Sequence, residues 1–383
     1  MPQWDMARRI AGHPTDKRLP GIHGLRAFAA AGIVLFHLAH LQVAPPDGLA
    51  FIKSHFGFAV PLFFVLSGFS LCYSTADHVG RPRWVQIYLI KRFFRIAPLF
   101  YAVLAFTLTF FAIRHAHIDI FTLILNLTFT YNFIPGKHEG IAFASWTIGV
   151  EMIFYAILPI FLIWLRRTGA TFMLTVVSVA ISVSARALLT EIPGLPAGYI
   201  GFSFIANLEY FVIGILAFHV FDALRRRGVS LYQINMGGLA GVLLAFVAIA
   251  LLPSNAATGN QTPLWGLLFG VLCVWQALAP GVLAGNSALV FLGERSYSIY
   301  LLHPLALIFL SPLLKAVVTV LSPWAGAWSY VPCAAITLAV VYTFASLTYA
   351  LIEEPGMRVG TRLIARTPKG STAVLETAPA LSV

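Results

Sequence analysis

Apolar runs of about 20 residues recur along the chain, separated by short polar loops. They fall at 22–43, 57–75, 96–114, 146–166, 171–190, 202–221, 236–253, 263–280, 296–313 and 330–352. Each is about long enough to cross the roughly 30 Å hydrocarbon core of a bilayer as a helix. The pattern predicts an all-α, polytopic integral membrane protein with about ten transmembrane helices. An eleventh stretch, 119–134, is shorter and carries several polar residues.

Charge settles how that stretch is read. If it does not cross and the N-terminus is cytoplasmic, 20 of the 25 Lys and Arg residues lie inside. Only Lys53, Arg114, Lys137, Arg186 and Lys315 fall outside. If it crosses, the split becomes 13 to 12. The positive-inside rule favours the first arrangement. Both termini are then cytoplasmic, and 119–134 is a re-entrant or interfacial segment whose backbone must be covered by protein. Residues 1–21 form a cytoplasmic segment, 22–356 the transmembrane domain and 357–383 a basic cytoplasmic tail.

Composition agrees. Of 383 residues 59% are hydrophobic and 10% charged, far from the balance of a soluble domain. The net charge of +11 does not point to nucleic acid, because it is scattered in short clusters between the runs, as topology signals are. Cys72, Cys273 and Cys333 lie in separate runs and make neither a disulfide framework nor a metal set. The first run is too long for a cleavable signal peptide, and no small-residue cleavage pattern follows it. His115, His117 and His138 read as solvated loop residues rather than a zinc site.

Ionisable residues inside apolar runs carry the candidate chemistry. Arg26 and His37 are 11 positions apart, about 20° beyond three full turns, so they share one helix face roughly 16 Å apart along the axis. Alone, His37 reads as an interhelical hydrogen bond and Arg26 as a snorkelling cation; the shared face favours a site. Glu151 lies at a depth similar to that of His37, so a carboxylate could orient a base. Glu209 is a second carboxylate at that depth, with no other signal pointing to it. Arg92 and Arg95, at the cytoplasmic mouth of the third span, are one turn apart and could grip a phosphate; ordinary positive-inside anchoring explains them equally well. Ser67 and Gly68 interrupt an apolar run, as small residues do where helices approach closely or leave room for a ligand.

Together these pieces resemble the membrane acyltransferase-3 family, in its stand-alone form without the fused SGNH domain of many relatives. The resemblance covers about residues 18–356. It rests on Arg26-x10-His37, FFVLSGF at 63–69, RFFR at 92–95, SWTIGVEMIFY at 145–155, LGERSYSIYLLHPL at 292–305 and IEEP at 352–355. One departure is His23, where the family's first motif usually has Asp. The resemblance implies transfer of an acyl group, most often acetyl, from cytoplasmic acyl-CoA to a hydroxyl of a carbohydrate or glycan-containing acceptor. His37 would be the general base and Glu151 its partner or an acceptor-binding group. Arg26, Arg92, Arg95, Ser67, Tyr297 and His303 would hold the donor. No metal and no permanently bound cofactor is expected; acyl-CoA is a co-substrate. The expected location is the bacterial inner membrane. A His–Glu pair at one depth also suits the proton relay of a secondary transporter, which is the alternative.

Overall fold

The computed structural model describes residues 19–164, 168–251, 261–281 and 284–366. Among them regular structure is helical throughout. The principal helices are α1 (Pro20–Leu41), α2 (Ala59–Thr75), α3 (Trp84–Ile113), α4 (Ile120–Leu127), α5 (Trp146–Trp164), α6 (Thr168–Thr190), α7 (Phe204–Arg226), α8 (Leu231–Leu251), α9 (Thr262–Leu278), α10 (Ser287–Glu294), α11 (Ser296–Ala325), α12 (Tyr330–Thr348) and α13 (Glu354–Arg366). Eight apolar helical stretches are long enough to span a membrane. The last of these, Ser296–Arg366, contains both α11 and α12, which fold against one another through Gly326 at φ 55°. With the 17-residue α9, ten described helices match the ten apolar runs.

α4 has eight residues, about 12 Å of helix, so 119–134 does not cross. Its polar side chains close the backbone as a covered segment requires. Asn126 donates to the Thr122 carbonyl and accepts from Ile141 N at 2.8 and 2.9 Å. Asn132 bridges Phe202 O and Phe204 N, and the Tyr131 hydroxyl donates to Ser145 O.

α2 and α7 cross at the centre. A Cβ on Gly68 would lie 2.2 Å from the Phe211 carbonyl oxygen, and one on Gly214 2.2 Å from that of Val65. Two hydrogen-only positions thus let the backbones touch. Phe64, Phe154 and Phe211 stack beside this crossing, with centroids 4.7 and 4.1 Å apart. Apolar residues such as Phe172, Met173, Leu243 and Leu244 cover the outside of α6 and α8, where lipid rather than water is the solvent.

Three expectations change. The helix of the third span begins at Trp84 rather than 96, so Lys91, Arg92 and Arg95 lie within a 30-residue helix rather than before its first turn. Arg186, counted above on the outer side, is not a solvent-exposed topology charge. It lies in α6, 7% exposed, ion-paired with Glu209 of α7 at 2.7 Å. Each charge makes the other's burial tolerable, and this gives Glu209 its role. His138 is not solvated either. It is 3% exposed, packs against the Tyr199 ring and accepts from Gly136 N. Burial holds its imidazole below the usual histidine range, against the opposing pull of Glu139. Among the described residues no His, Cys, Asp and Glu group could hold a metal.

Candidate active site

The long motif-bearing helices converge on two cavities that meet end to end. The inner chamber, about 90 Å³, is narrow. Arg26 enters it from α1, Ser67 from α2, Arg92 and Arg95 from α3, Glu151 from α5 and Tyr297 from α11. Six of the eight residues singled out in the sequence therefore share one wall-to-wall space. The other cavity, about 500 Å³, lies beyond it toward the opposite end of the bundle. It is lined by His37, Trp146, Arg186, Phe202, Asn207 and Thr262, among others. Val60 and Tyr300 border both.

The cations of the chamber are not equivalent. Arg95 pairs with Glu353 and also donates from Nη2 to the Glu294 carbonyl at 3.1 Å. Glu353 is completely buried and receives Ser298 Oγ at 2.7 Å. Arg95 is thus tied down and its charge compensated. Arg92 donates to Ser74 Oγ at 2.9 Å, and its buried Nε has no partner. Among the described residues neither Arg92 nor Arg26 forms a salt bridge. Glu151 accepts from Ser67 Oγ at 2.7 Å. The chamber therefore offers two guanidiniums outside any salt bridge beside one hydrogen-bonded carboxylate, a net positive charge that suits a ligand with negative or strongly accepting groups.

His37 stands apart from this cluster. Its Nδ1 lies 3.0 Å from the Ile33 carbonyl and 3.0 Å from His303 Nε2. Glu151 is therefore not its orienting partner; similar depth along two helices did not bring the two together. His303 is fully buried and lines neither cavity. Tyr297 borders the chamber while its hydroxyl donates to Ile96 O at 2.8 Å. A relay passing protons directly between His37 and Glu151 has no hydrogen bond to run along.

The comparisons decide the family. A model described as an acyltransferase domain matches residues 19–346. The chain belongs to the membrane acyltransferase-3 family. A protein named as an acetyltransferase in Acidianus two-tailed virus is 26% identical over 79% of this chain and 88% of its own. Acyltransferase MdmB of Streptomyces mycarofaciens is 25% identical over 90% of this chain and 93% of its own. A protein named as an O-acetyltransferase in Staphylococcus aureus strain COL is 23% identical over 90% of this chain and 58% of its own. No solved structure matches. This acyltransferase-family protein is an integral membrane protein.

Sequence reasoning missed Glu353 as the counter-charge of Arg95, although IEEP was recognised as a motif, and missed Tyr300 at the junction. It also left Arg186 and Glu209 unpaired. Helices distant in sequence meet at each of these points, and no local pattern reports such contacts.

Proposed function

We propose that the protein is a membrane O-acyltransferase that takes an acyl group, acetyl by default, from acyl-CoA and passes it to a hydroxyl of a carbohydrate-containing acceptor. The observation that carries this reading is the junction at Val60 and Tyr300. There a narrow chamber with Arg26 and Arg92, neither in a salt bridge, meets a wider cavity bearing His37. The slender acyl-pantetheine arm suits the chamber. A third cavity, lined by His78, Arg81, Lys91 and Arg92, shares Arg92 with it and offers positive charge to the nucleotide phosphates. Its cationic lining and the positive-inside rule support reading this end as the cytoplasmic one, and the proposed membrane is a bacterial inner membrane.

The wider cavity suits the acceptor. Trp146 stacked on Phe202, and Phe58 backed by Trp265 behind it, give it aromatic walls, and Asn207 and Thr262 supply polar groups. Because Arg186 is neutralised by Glu209, the wall favours a neutral hydroxylated ring. His37 takes the acceptor's hydroxyl proton as the oxygen attacks the thioester carbonyl. The carbon–sulfur bond breaks, and the proton passes to the departing CoA sulfur. A positioned base contributes about 10²–10⁴ in rate.

The test is CoA release from acetyl-CoA by purified protein, with and without a glycan-lipid extract, for wild type and His37→Ala. Release by wild type alone, with CoA binding kept by His37→Ala, supports the reading. If wild type neither binds nor consumes acetyl-CoA or longer acyl-CoAs, the reading fails.

A further inference from the structure

The sequence Tyr300-Leu301-Leu302-His303-Pro304 has a consequence for the base. In a helix the carbonyl of residue 300 would accept from the N–H of residue 304. Pro304 has no N–H, so the Tyr300 carbonyl is left free inside α11. His303 Nδ1 takes it, at 2.5 Å. A carbonyl oxygen only accepts, so His303 Nδ1 carries the hydrogen. In a neutral imidazole the other nitrogen then bears a lone pair, and His303 Nε2 is an acceptor facing His37.

The same reasoning applies one ring further on. His37 Nδ1 is 3.0 Å from the Ile33 carbonyl, so it too carries its hydrogen, shared between that oxygen and His303 Nε2. The lone pair of neutral His37 must then sit on Nε2. No protein group among the described residues bonds that atom, while the His37 side chain borders the wider cavity. We infer that His303 is a positioning residue: fixed by the carbonyl that Pro304 exposes, it holds His37 in the Nδ1–H tautomer with Nε2 free, and supplies the second acceptor for the Nδ1–H once His37 has taken a proton. The role in turnover rests on the acyl-transfer reading above; the tautomer does not.

Two readouts test it. In turnover, His303→Leu lowers kcat by at least about 100-fold, the lower end of what a positioned base contributes. KM for acetyl-CoA stays within about twofold. His303→Gln, which can place an amide oxygen where Nε2 lies, recovers at least about tenfold of that loss. Pro304→Ala, which returns a competing N–H to the Tyr300 carbonyl, lowers kcat while leaving both rings in place. Nitrogen NMR of ¹⁵N-histidine-labelled protein in bilayers reads the bond directly. His37 should show a protonated Nδ1 and a bare Nε2, and the His37 Nδ1 signal should move in His303→Leu. A kcat within about threefold of wild type in His303→Leu overturns the catalytic role. An unmoved Nδ1 signal, or a protonated Nε2 in wild type, overturns the tautomer argument even if the protein turns over no acyl-CoA. If His37→Ala remains fully active, the general-base reading fails instead.

Discussion

Ser67 Oγ donates to Glu151 Oε1 at 2.7 Å, tying α2 to α5 across the inner chamber. Glu151 makes this bond and no hydrogen bond to His37. Both partners border the space also lined by Arg26 and Arg92. Hence Ser67→Ala and Glu151→Gln should weaken CoA binding, and the double variant should lose less than the sum, as contacting residues do by about 0.5–3 kcal/mol. His37→Ala should leave CoA affinity unchanged. Isothermal titration of wild type and the four variants checks this; a loss of CoA affinity in His37→Ala equal to that in Glu151→Gln would falsify the two-cavity division.

The α2–α7 crossing gives a prediction about stability. A methyl on Gly214 would lie 2.2 Å from the Val65 carbonyl oxygen and 2.9 Å from Phe69 N. Backbone atoms cannot swing aside as a side-chain tip can. Gly214→Ala should therefore force the helices apart and cost at least the 1–3 kcal/mol typical of overpacking, seen as a lower melting temperature in detergent. Gly237 has open space around it, and Gly237→Ala in α8 should be neutral or slightly stabilising. Equal melting temperatures for the two would count against the crossing as described.

Much of this was legible beforehand, for identifiable reasons. Run length and the distribution of Lys and Arg answer to the bilayer itself, so the ten helices and the non-crossing 119–134 followed from the chain alone. The shared inward face of Arg26 and His37 followed from helical periodicity. Depth along separate helices was a weaker guide. It suggested Glu151 as the partner of His37, because depth fixes height in the bundle but not rotation about each axis. His303 supplied that partner from the motif at 292–305. Arg186 and Glu209 stayed unpaired for a related reason: they lie on different helices, and only the rotation of each about its axis brings the two charges together.

The loop following α4 should soften in acid. His138 is buried and its imidazole is held below the ordinary histidine range by that burial. A depressed histidine means that the unfolded loop binds the proton more readily than the folded one. Stability is then full above the unfolded value of about 6.5 and declines as pH falls through it toward the folded value. Asp119, which caps Thr122 and pairs with Lys137 at 2.8 Å, is held well below the usual carboxylate range by those partners. It therefore keeps its charge across this window and does not contribute to the change. Hydrogen exchange over 134–142, corrected for intrinsic rates, should be faster at pH 5.5 than at pH 7.5. The difference should vanish in His138→Gln; persistence there would assign it to another group.

Arg92 and Arg95 are one turn apart in a single motif, yet their surroundings separate what they do. Arg95 is paired with the fully buried Glu353, so removing that carboxylate leaves a cation uncompensated in a low-dielectric interior. Breaking such a pair costs about 3–5 kcal/mol. Glu353→Ala should accordingly lower the melting temperature markedly. Replacing both partners at once, in Arg95→Met with Glu353→Leu, should recover much of the loss, since no lone charge then remains. Arg92 has no carboxylate to orphan. Arg92→Ala should leave the melting temperature nearly unchanged and instead raise KM for acetyl-CoA by roughly 10-fold or more, the range of one lost charge-assisted hydrogen bond. KM for a truncated acetyl-pantetheine, which lacks the nucleotide phosphates, should rise much less. Thermal unfolding and donor-concentration series on the same preparations separate the two roles. If Arg92→Ala unfolded the protein and Glu353→Ala altered only KM, the assignment of binding to one arginine and stability to the other would be reversed.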